Sequence, residues 1–252
     1  MKKILTLLLI IASTPAAFSA GASAELKQVQ WPFDGVTGTF DRPSVQRGFQ
    51  VYKEVCAACH GLRQVAYRSL ADVGFSADEI KAIAAEQTVI DGPNDDGEMF
   101  ERAARPSDKF VSPFANQKAA RASNGGAYPV DLSLIVKARG DGANYLYSLL
   151  TGYKDAPEGF DIGNLHYNEV FPGQKIAMAA PISAASVEYE DGTDANLHQI
   201  AYDVTNFLQW AAEPEMEQRK RMGIKVLLFM FFFTVFYVYA KKRVWSDVKK
   251  GE

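Results

Sequence analysis

Among 252 residues there are only two cysteines, three histidines and three tryptophans. Two cysteines cannot build the multi-bridge framework of a small secreted scaffold. A structural zinc site wants four ligands, and these could be gathered on paper only from Cys56, Cys59, His166 and His198. His60, next to the pair, would then have no role. Positive charge is scarce as well. Residues 25–221 hold 28 acidic against 19 basic side chains, a net of −9, while the whole chain is −3. That balance argues against nucleic acid and suits either plain solubility or a basic protein partner. Long apolar runs are missing except at the two ends. With those ends included, apolar residues are 48% and charged residues 23%, the profile of a globular chain long enough for one good-sized domain or two small ones.

The first apolar run, Ile4 to Ile11, is broken only by Thr6 and follows Lys2 and Lys3. Small residues come next, with cleavage triplets at Ala20-Gly21-Ala22 and Ala22-Ser23-Ala24. This is the layout of a secretory signal peptide over residues 1–24. The second run is Ile224 to Ala240, whose 17 residues would reach about 26 Å as a helix. Met222 and Gly223 can extend it towards the ~30 Å of a hydrocarbon core, so a span over 222–240 is expected. Lys225 can snorkel at its start, and Tyr237, Tyr239 and Trp245 suit the far interface. Lys241, Lys242, Arg243, Lys249 and Lys250 follow the span, which predicts a cytoplasmic tail over 241–252. Both ends therefore predict one exported domain, residues 25–221, held at the bacterial inner membrane by a single C-terminal helix.

The two cysteines stand in Cys56-Ala57-Ala58-Cys59-His60. Cys-x-x-Cys-His is the attachment signature of c-type haem. Two thiols three residues apart reach the two vinyl groups on one porphyrin edge, and the adjacent imidazole then lies beneath the iron. A thioredoxin-like pair would need a βαβ setting that the flanks do not resemble. The preceding segment, Ser44 to Val55, reads as an amphipathic helix with Ser44 as N-cap and Phe49, Tyr52 and Cys56 on one face. Gly48 beside that face admits a close partner helix. Leu197, Ile200, Ala201, Val204 and Leu208 supply the matching stripe, with Phe207 beside it.

His60 supplies one axial bond, and the residues alone leave several candidates for the other. Met178, Met99, His166 and His198 all remain after the methionines of the two ends are set aside. Met178 lies in Ile176-Ala177-Met178-Ala179-Ala180-Pro181, where small neighbours would let a flat macrocycle approach the backbone. Pro172-Gly173 and Pro181 predict a loop there. His198 falls on the exposed side of its stripe.

Several stretches in order resemble the cytochrome c1 family, the haem subunits of ubiquinol–cytochrome c reductases. They include Trp31-Pro32-Phe33-Asp34-Gly35, Arg47 to His60, Asp91-Gly92-Pro93-Asn94-Asp95 and Gly97-Glu98-Met99-Phe100. Further on stand Asp131-Leu132-Ser133-Leu134-Ile135 with Lys137-Ala138-Arg139, Leu149-Leu150-Thr151-Gly152-Tyr153, and Phe171-Pro172-Gly173 leading to Met178. Trp210 to Glu215 and Arg219 to Gly223 precede the span as the family pattern requires. The resemblance runs from about Trp31 to Lys242.

The resemblance implies a mainly α fold: a c-type cytochrome core with long loop insertions and one C-terminal transmembrane helix. It implies one covalent haem on Cys56 and Cys59, iron ligation by His60 and Met178, and Arg139 near the haem propionates. It implies cytochrome b and Rieske iron–sulfur subunits as partners, cytochrome c as acceptor, a dimeric complex, and no enzyme activity by the chain alone. A free-standing anchored cytochrome c feeding an oxidase is the alternative, and a haem peroxidase with an open sixth position is a third reading. Two departures stand out. The family commonly has two prolines before Asp-Leu-Ser-Leu, where this chain has Pro129-Val130, which removes the ground for expecting a proline contact at the haem edge. Ser183 to Ala195, with Glu188, Glu190, Asp191 and Asp194, fits no family pattern and reads as an acidic surface loop.

Overall fold

The computed structural model describes residues 25–246. The expected signal peptide and residues 247–252 of the expected tail lie outside the described residues. Within them the chain is mainly helical, with two short antiparallel hairpins and long irregular connections, a c-type cytochrome arrangement plus a C-terminal anchor helix.

Helix α1, Arg42–Glu54, carries the segment before the Cys-x-x-Cys-His turn. Its N-cap is Asp41, whose carboxylate accepts from the Ser44 amide at 3.5 Å. Ser44, expected as the cap, lies in the first turn and is fully buried. Its hydroxyl donates instead to Asp203 Oδ1 at 2.6 Å. An upstream aspartate already serves the cap, and a buried carboxylate on another helix offers the serine a stronger, charge-assisted bond.

That other helix is α5, Leu197–Ala212, capped by Asn196, which accepts from Gln199 N at 3.0 Å. α1 and α5 form the most extensive helix pair of the chain, with the expected residues facing. Phe207 packs its ring against Phe49 and Tyr52 at centroid distances of 5.7 and 5.6 Å. Val45, Phe49, Tyr52, Val204, Phe207 and Leu208 are all buried. Each such side chain contributes about 1.5–3 kcal/mol on burial. Between the two cysteines' segment and α5 this core fixes where the turn at residue 56 begins.

A 3-10 segment, Tyr67–Val73, leads to α2, Ala77–Ala85, which opens on a capping box between Ser76 and Glu79. Strands β1 (Thr88–Asp91) and β2 (Phe100–Ala103) pair antiparallel, Thr88 opposite Ala103. Arg102 clasps this hairpin, pairing with Asp91 and with Asp108, the latter at 2.6 Å. After α3 (Gln117–Ser123) and α4 (Gly142–Leu150), β3 (His166–Tyr167) and β4 (Lys175–Ile176) form the second hairpin.

The stretch from Ser183 to Ala195 is more than an acidic surface loop. Glu188, Glu190, Asp191 and Asp194 do face solvent. On its inner side, however, Val187 and Tyr189 are buried in the main core, as is Ile182 just before it. Arg47 on α1 ties the stretch down: it pairs with Asp191 and with buried Asp203, both at 2.9 Å, and lies over the Tyr189 ring. Alternation of apolar and acidic residues lets one side pack while the other is hydrated.

Helix α6, Met216–Val244, is longer than the expected span at both ends. Its 29 residues reach about 43 Å. Met216 is buried in the main core of the fold. Glu217 accepts from Phe40 N at 2.8 Å and pairs with Arg42. Lys220 Nζ donates to the carbonyls of Phe33 and Gly38 at 2.6 and 3.3 Å. From Val226 to Tyr239 the apolar side chains are exposed, and the most apolar 18 residues have a mean hydropathy of 1.9 with none buried. The helix is long and apolar enough to cross a membrane.

Candidate functional site

The turn that follows α1 is built on one carbonyl. Cys56 O accepts from the amides of Cys59 and His60 at 3.1 and 2.8 Å, winding Cys56–Ala58 into a 3-10 turn. Tyr52, one turn earlier in α1, donates its hydroxyl to His60 O at 3.1 Å. Both cysteines are free thiols and half-buried. Burial, with Cys59 adding to it, pushes the Cys56 thiol up to about 12. That is an uncharged sulfur, unlike the activated thiolate of a disulfide oxidoreductase.

The imidazole of His60 is held by its inner nitrogen. Nδ1 lies 2.6 Å from the carbonyl oxygen of Val130. Burial lowers the His60 pKa, against smaller opposing effects of that carbonyl and of Asp131. A neutral ring that donates from Nδ1 carries its lone pair on Nε2, which has no hydrogen-bond partner among the described residues. This is the tautomer an axial ligand needs.

The strand of chain that offers Val130 O runs alongside the residues after His60. Leu132 N donates to Gly61 O at 2.8 Å, and Gln64 N donates to Ser133 Oγ at 3.0 Å. Asp131 accepts from Arg63 N and Arg63 Nε through Oδ2, at 3.0 and 3.1 Å, and from Ser133 N through Oδ1 at 3.0 Å. A Cβ on Gly61 would lie 2.8 Å from Ser112 Oγ and 3.2 Å from Asp131 Oδ2, so a side chain there would have to push both of these groups aside.

Met178 follows β4 in a bend, as its loop setting predicts, and is half-buried. It packs on a small cluster of Leu149, Val170 and Ile176 with Tyr145, Tyr153 and Phe171. Tyr145 also packs on the main core, to which Cys56 belongs, and so joins the two clusters. Tyr153 donates its hydroxyl to Met178 O at 3.1 Å and pins the bend. The other ligand candidates stand apart from such settings. Met99 is 61% exposed near the tip of the first hairpin. His166 is exposed on β3, and His198 is exposed and bonded to the Tyr147 hydroxyl at 3.0 Å. Among the described residues no group of three or more His, Cys, Asp or Glu side chains is placed to hold a metal, so the zinc set Cys56, Cys59, His166 and His198 is not assembled.

Arg139 is exposed at the end of the turns that follow Ser133. Its guanidinium donates to Ala138 O at 3.0 Å and makes no ion pair among the described residues. The residue types thus fit a haem: two unbridged thiols, an imidazole presenting Nε2, a thioether in an apolar cluster, and a cation without an ion pair among the described residues. Val130 and Leu134 add apolar surface, at 40% and 46% exposure, that the described residues leave uncovered. Val130 O escaped the reading of the sequence, and Asp131 and Tyr153 entered it only as members of family stretches, without a role. A backbone carbonyl has no sequence signature, and the aspartate and tyrosine act through main-chain atoms rather than through a motif.

With this geometry in hand, comparison with known proteins gives a consistent answer. Residues 31–248 match the profile of the Cytochrome C1 family. A protein of Arabidopsis thaliana named "Cytochrome c1 1, heme protein, mitochondrial" is 47% identical over 96% of this chain and 79% of its own length. "Cytochrome c1" of Rhodospirillum rubrum is 45% identical over 96% of this chain and 95% of its own. A protein of Bradyrhizobium diazoefficiens named "Cytochrome b/c1" is 46% identical over 86% of this chain, which accounts for 35% of that longer protein.

Proposed function

The chain belongs to the cytochrome c1 family, and from that premise we propose that it is the haem-carrying electron-transfer subunit of a quinol–cytochrome c reductase, taking electrons from the Rieske iron–sulfur protein and passing them to cytochrome c. The observation that carries the reading is the Cys56–His60 turn with its imidazole held at Nδ1 by Val130 O and Nε2 left to a metal. Cys56 and Cys59 hold one haem through thioether bonds. His60 Nε2 and the Met178 sulfur would ligate its iron, and Arg139 would pair with a propionate. A haem in that place supplies a one-electron iron couple, so the chain makes and breaks no substrate bond and is not an enzyme by itself.

The rest of the chain serves placement. Residues 1–24 are a signal peptide and residues 25–221 the periplasmic domain. Residues 222–240 cross the inner membrane and 241–252 end in the cytoplasm. The acidic domain, net −9 over residues 25–221, steers a basic acceptor. Cytochrome b is the membrane neighbour, a reading supported by the relative whose name joins b and c1, and the complex is dimeric.

A mild-detergent pull-down on a C-terminal tag, followed by a reduced-minus-oxidised spectrum, tests this. Co-elution of b-type with c-type haem is the expected result. A c-type spectrum alone, under conditions that keep such complexes intact, would favour a free-standing anchored cytochrome.

A further inference from the structure

We propose that Asp131 is a positioning residue: its carboxylate locks the Val130 carbonyl against His60 Nδ1 and thereby sets the orientation and basicity of the imidazole. This rests on His60 being an iron ligand, as proposed above. Val130 itself cannot hold its carbonyl in place. Its side chain is 40% exposed, and it lies in irregular chain outside the named helices and strands. The neighbouring residue does the holding. Asp131 accepts three hydrogen bonds, two from Arg63 and one from Ser133 N, and so ties together both sides of the pair of chain segments. Those segments are the three residues before Gln64 and the four after Pro129. Leu132 N to Gly61 O and Gln64 N to Ser133 Oγ complete the seam. The absent side chain of Gly61 lets the carboxylate lie directly against the chain that bears His60.

The consequence is chemical as well as mechanical. A short bond from Nδ1–H to a fixed carbonyl gives the ring more imidazolate character, which favours the oxidised metal and lowers the potential. An imidazole whose acceptor drifts loses that bias and turns more freely about its bond to iron. Arg63, held by the same carboxylate, balances much of its charge, so the main route from Asp131 to the metal is through the position of Val130 O.

The test uses the full-length, haem-loaded protein in detergent with 15N-labelled histidine. In the wild type, a hyperfine-shifted histidine 15N signal with a slowly exchanging Nδ1–H is expected; absence of any hyperfine-shifted histidine 15N signal would refute ligation by His60 and with it the underlying reading, whereas a shifted signal with a rapidly exchanging proton would overturn the proposal alone. In Asp131→Asn, which cannot accept from both Arg63 and Ser133 with two carboxylate oxygens, that proton should exchange about tenfold faster, the factor carried by loss of one charge-assisted bond. The potential should move to more positive values with the haem still attached. Removal of a negative charge also raises a potential, so the exchange rate decides. Ser133→Ala, which removes the Gln64 N acceptor and a hydroxyl bond to Asp131 but leaves the carboxylate its bonds from Arg63 and Ser133 N, should lower thermal stability while raising the exchange rate less than Asp131→Asn does. If Asp131→Asn fails to accumulate, Arg63→Gln replaces it and should shift both readouts the same way by less. A wild-type resonance whose exchange is unchanged in Asp131→Asn, or in Arg63→Gln where that stands in, overturns the proposal alone.

Discussion

Gly48 on α1 lies so close to α5 that a Cβ added to it would sit 2.0 Å from the carbonyl oxygen of Asp203 and 2.7 Å from Phe207 Cβ. Nothing in that contact can yield, since one partner is backbone and the other a side chain rooted in the core. Gly48→Ala gains about 1 kcal/mol of helix propensity. Forcing the helices apart costs more, about 3 kcal/mol or above. The variant should therefore melt at lower temperature by circular dichroism and accumulate less haem-loaded protein. A melting temperature at or above that of the wild type would mean the crossing is looser than described.

Met178 is presented by a bend that Tyr153 holds through its main-chain oxygen, in a cluster shared with Val170 and Phe171. Thioether ligation raises a haem potential relative to the alternatives. Met178→Leu should keep the covalent haem, lower its potential, and let carbon monoxide bind the reduced form rapidly. Tyr153→Phe should preserve ligation while weakening the bend by about 1 kcal/mol. Redox titration of both variants checks this; an unchanged potential in Met178→Leu would assign the sixth position elsewhere.

What could be read from residues alone was whatever depends on local pattern. The Cys-x-x-Cys-His spacing, the apolar faces of α1 and α5, Gly48 at their crossing and the C-terminal helix all follow from periodicities of a few residues. What escaped depends on a partner distant in sequence. Ser44 was expected to cap α1 but is drawn to Asp203, 159 residues on. Val187 and Tyr189 look like members of an acidic loop until Arg47 and α5 give them a surface to pack on. The Val130 carbonyl is a main-chain atom with no pattern at all. Helix α6 began earlier than hydropathy implied because Glu217 and Lys220 are polar yet bonded to the chain between Phe33 and Arg42.

The first hairpin is a place where acid should act first. Asp108 is held well below its usual range, to about 2, by its bonds from Arg102 and from Arg105 N. Asp91 is lowered too, again chiefly by Arg102. A depressed carboxylate contributes stability that is present above its unfolded value, about 3.9. That contribution is lost as the pH falls from there towards about 2. Below pH 4 the β1–β2 hairpin should open to pepsin before the α1–α5 core does. Arg102→Gln should open it to a neutral protease at pH 7. Hairpin cleavage in the wild type that does not change between pH 4 and pH 2 would contradict the clasp.

The anchor helix and the domain it carries share their first two turns. Met216 is 2% exposed in the core, Glu217 accepts from Phe40 N, and Lys220 reaches the Phe33 and Gly38 carbonyls. A chain ending after Arg221 keeps all of these contacts, whereas one ending after Glu215 loses a buried methionine and a set of charge-assisted bonds. Burial of the methionine contributes about 1.5–3 kcal/mol, and each bond to a charged group about as much. The longer fragment should fold, load haem and melt close to the full-length protein in detergent. The shorter one should melt well below it and expose the segment from Trp31 to Phe40 to protease. Thermal melts and limited proteolysis of the two fragments decide the point. Equal stability would show that the helix is merely tethered to the domain, and the seam between them would then lie at residue 215 rather than past residue 221.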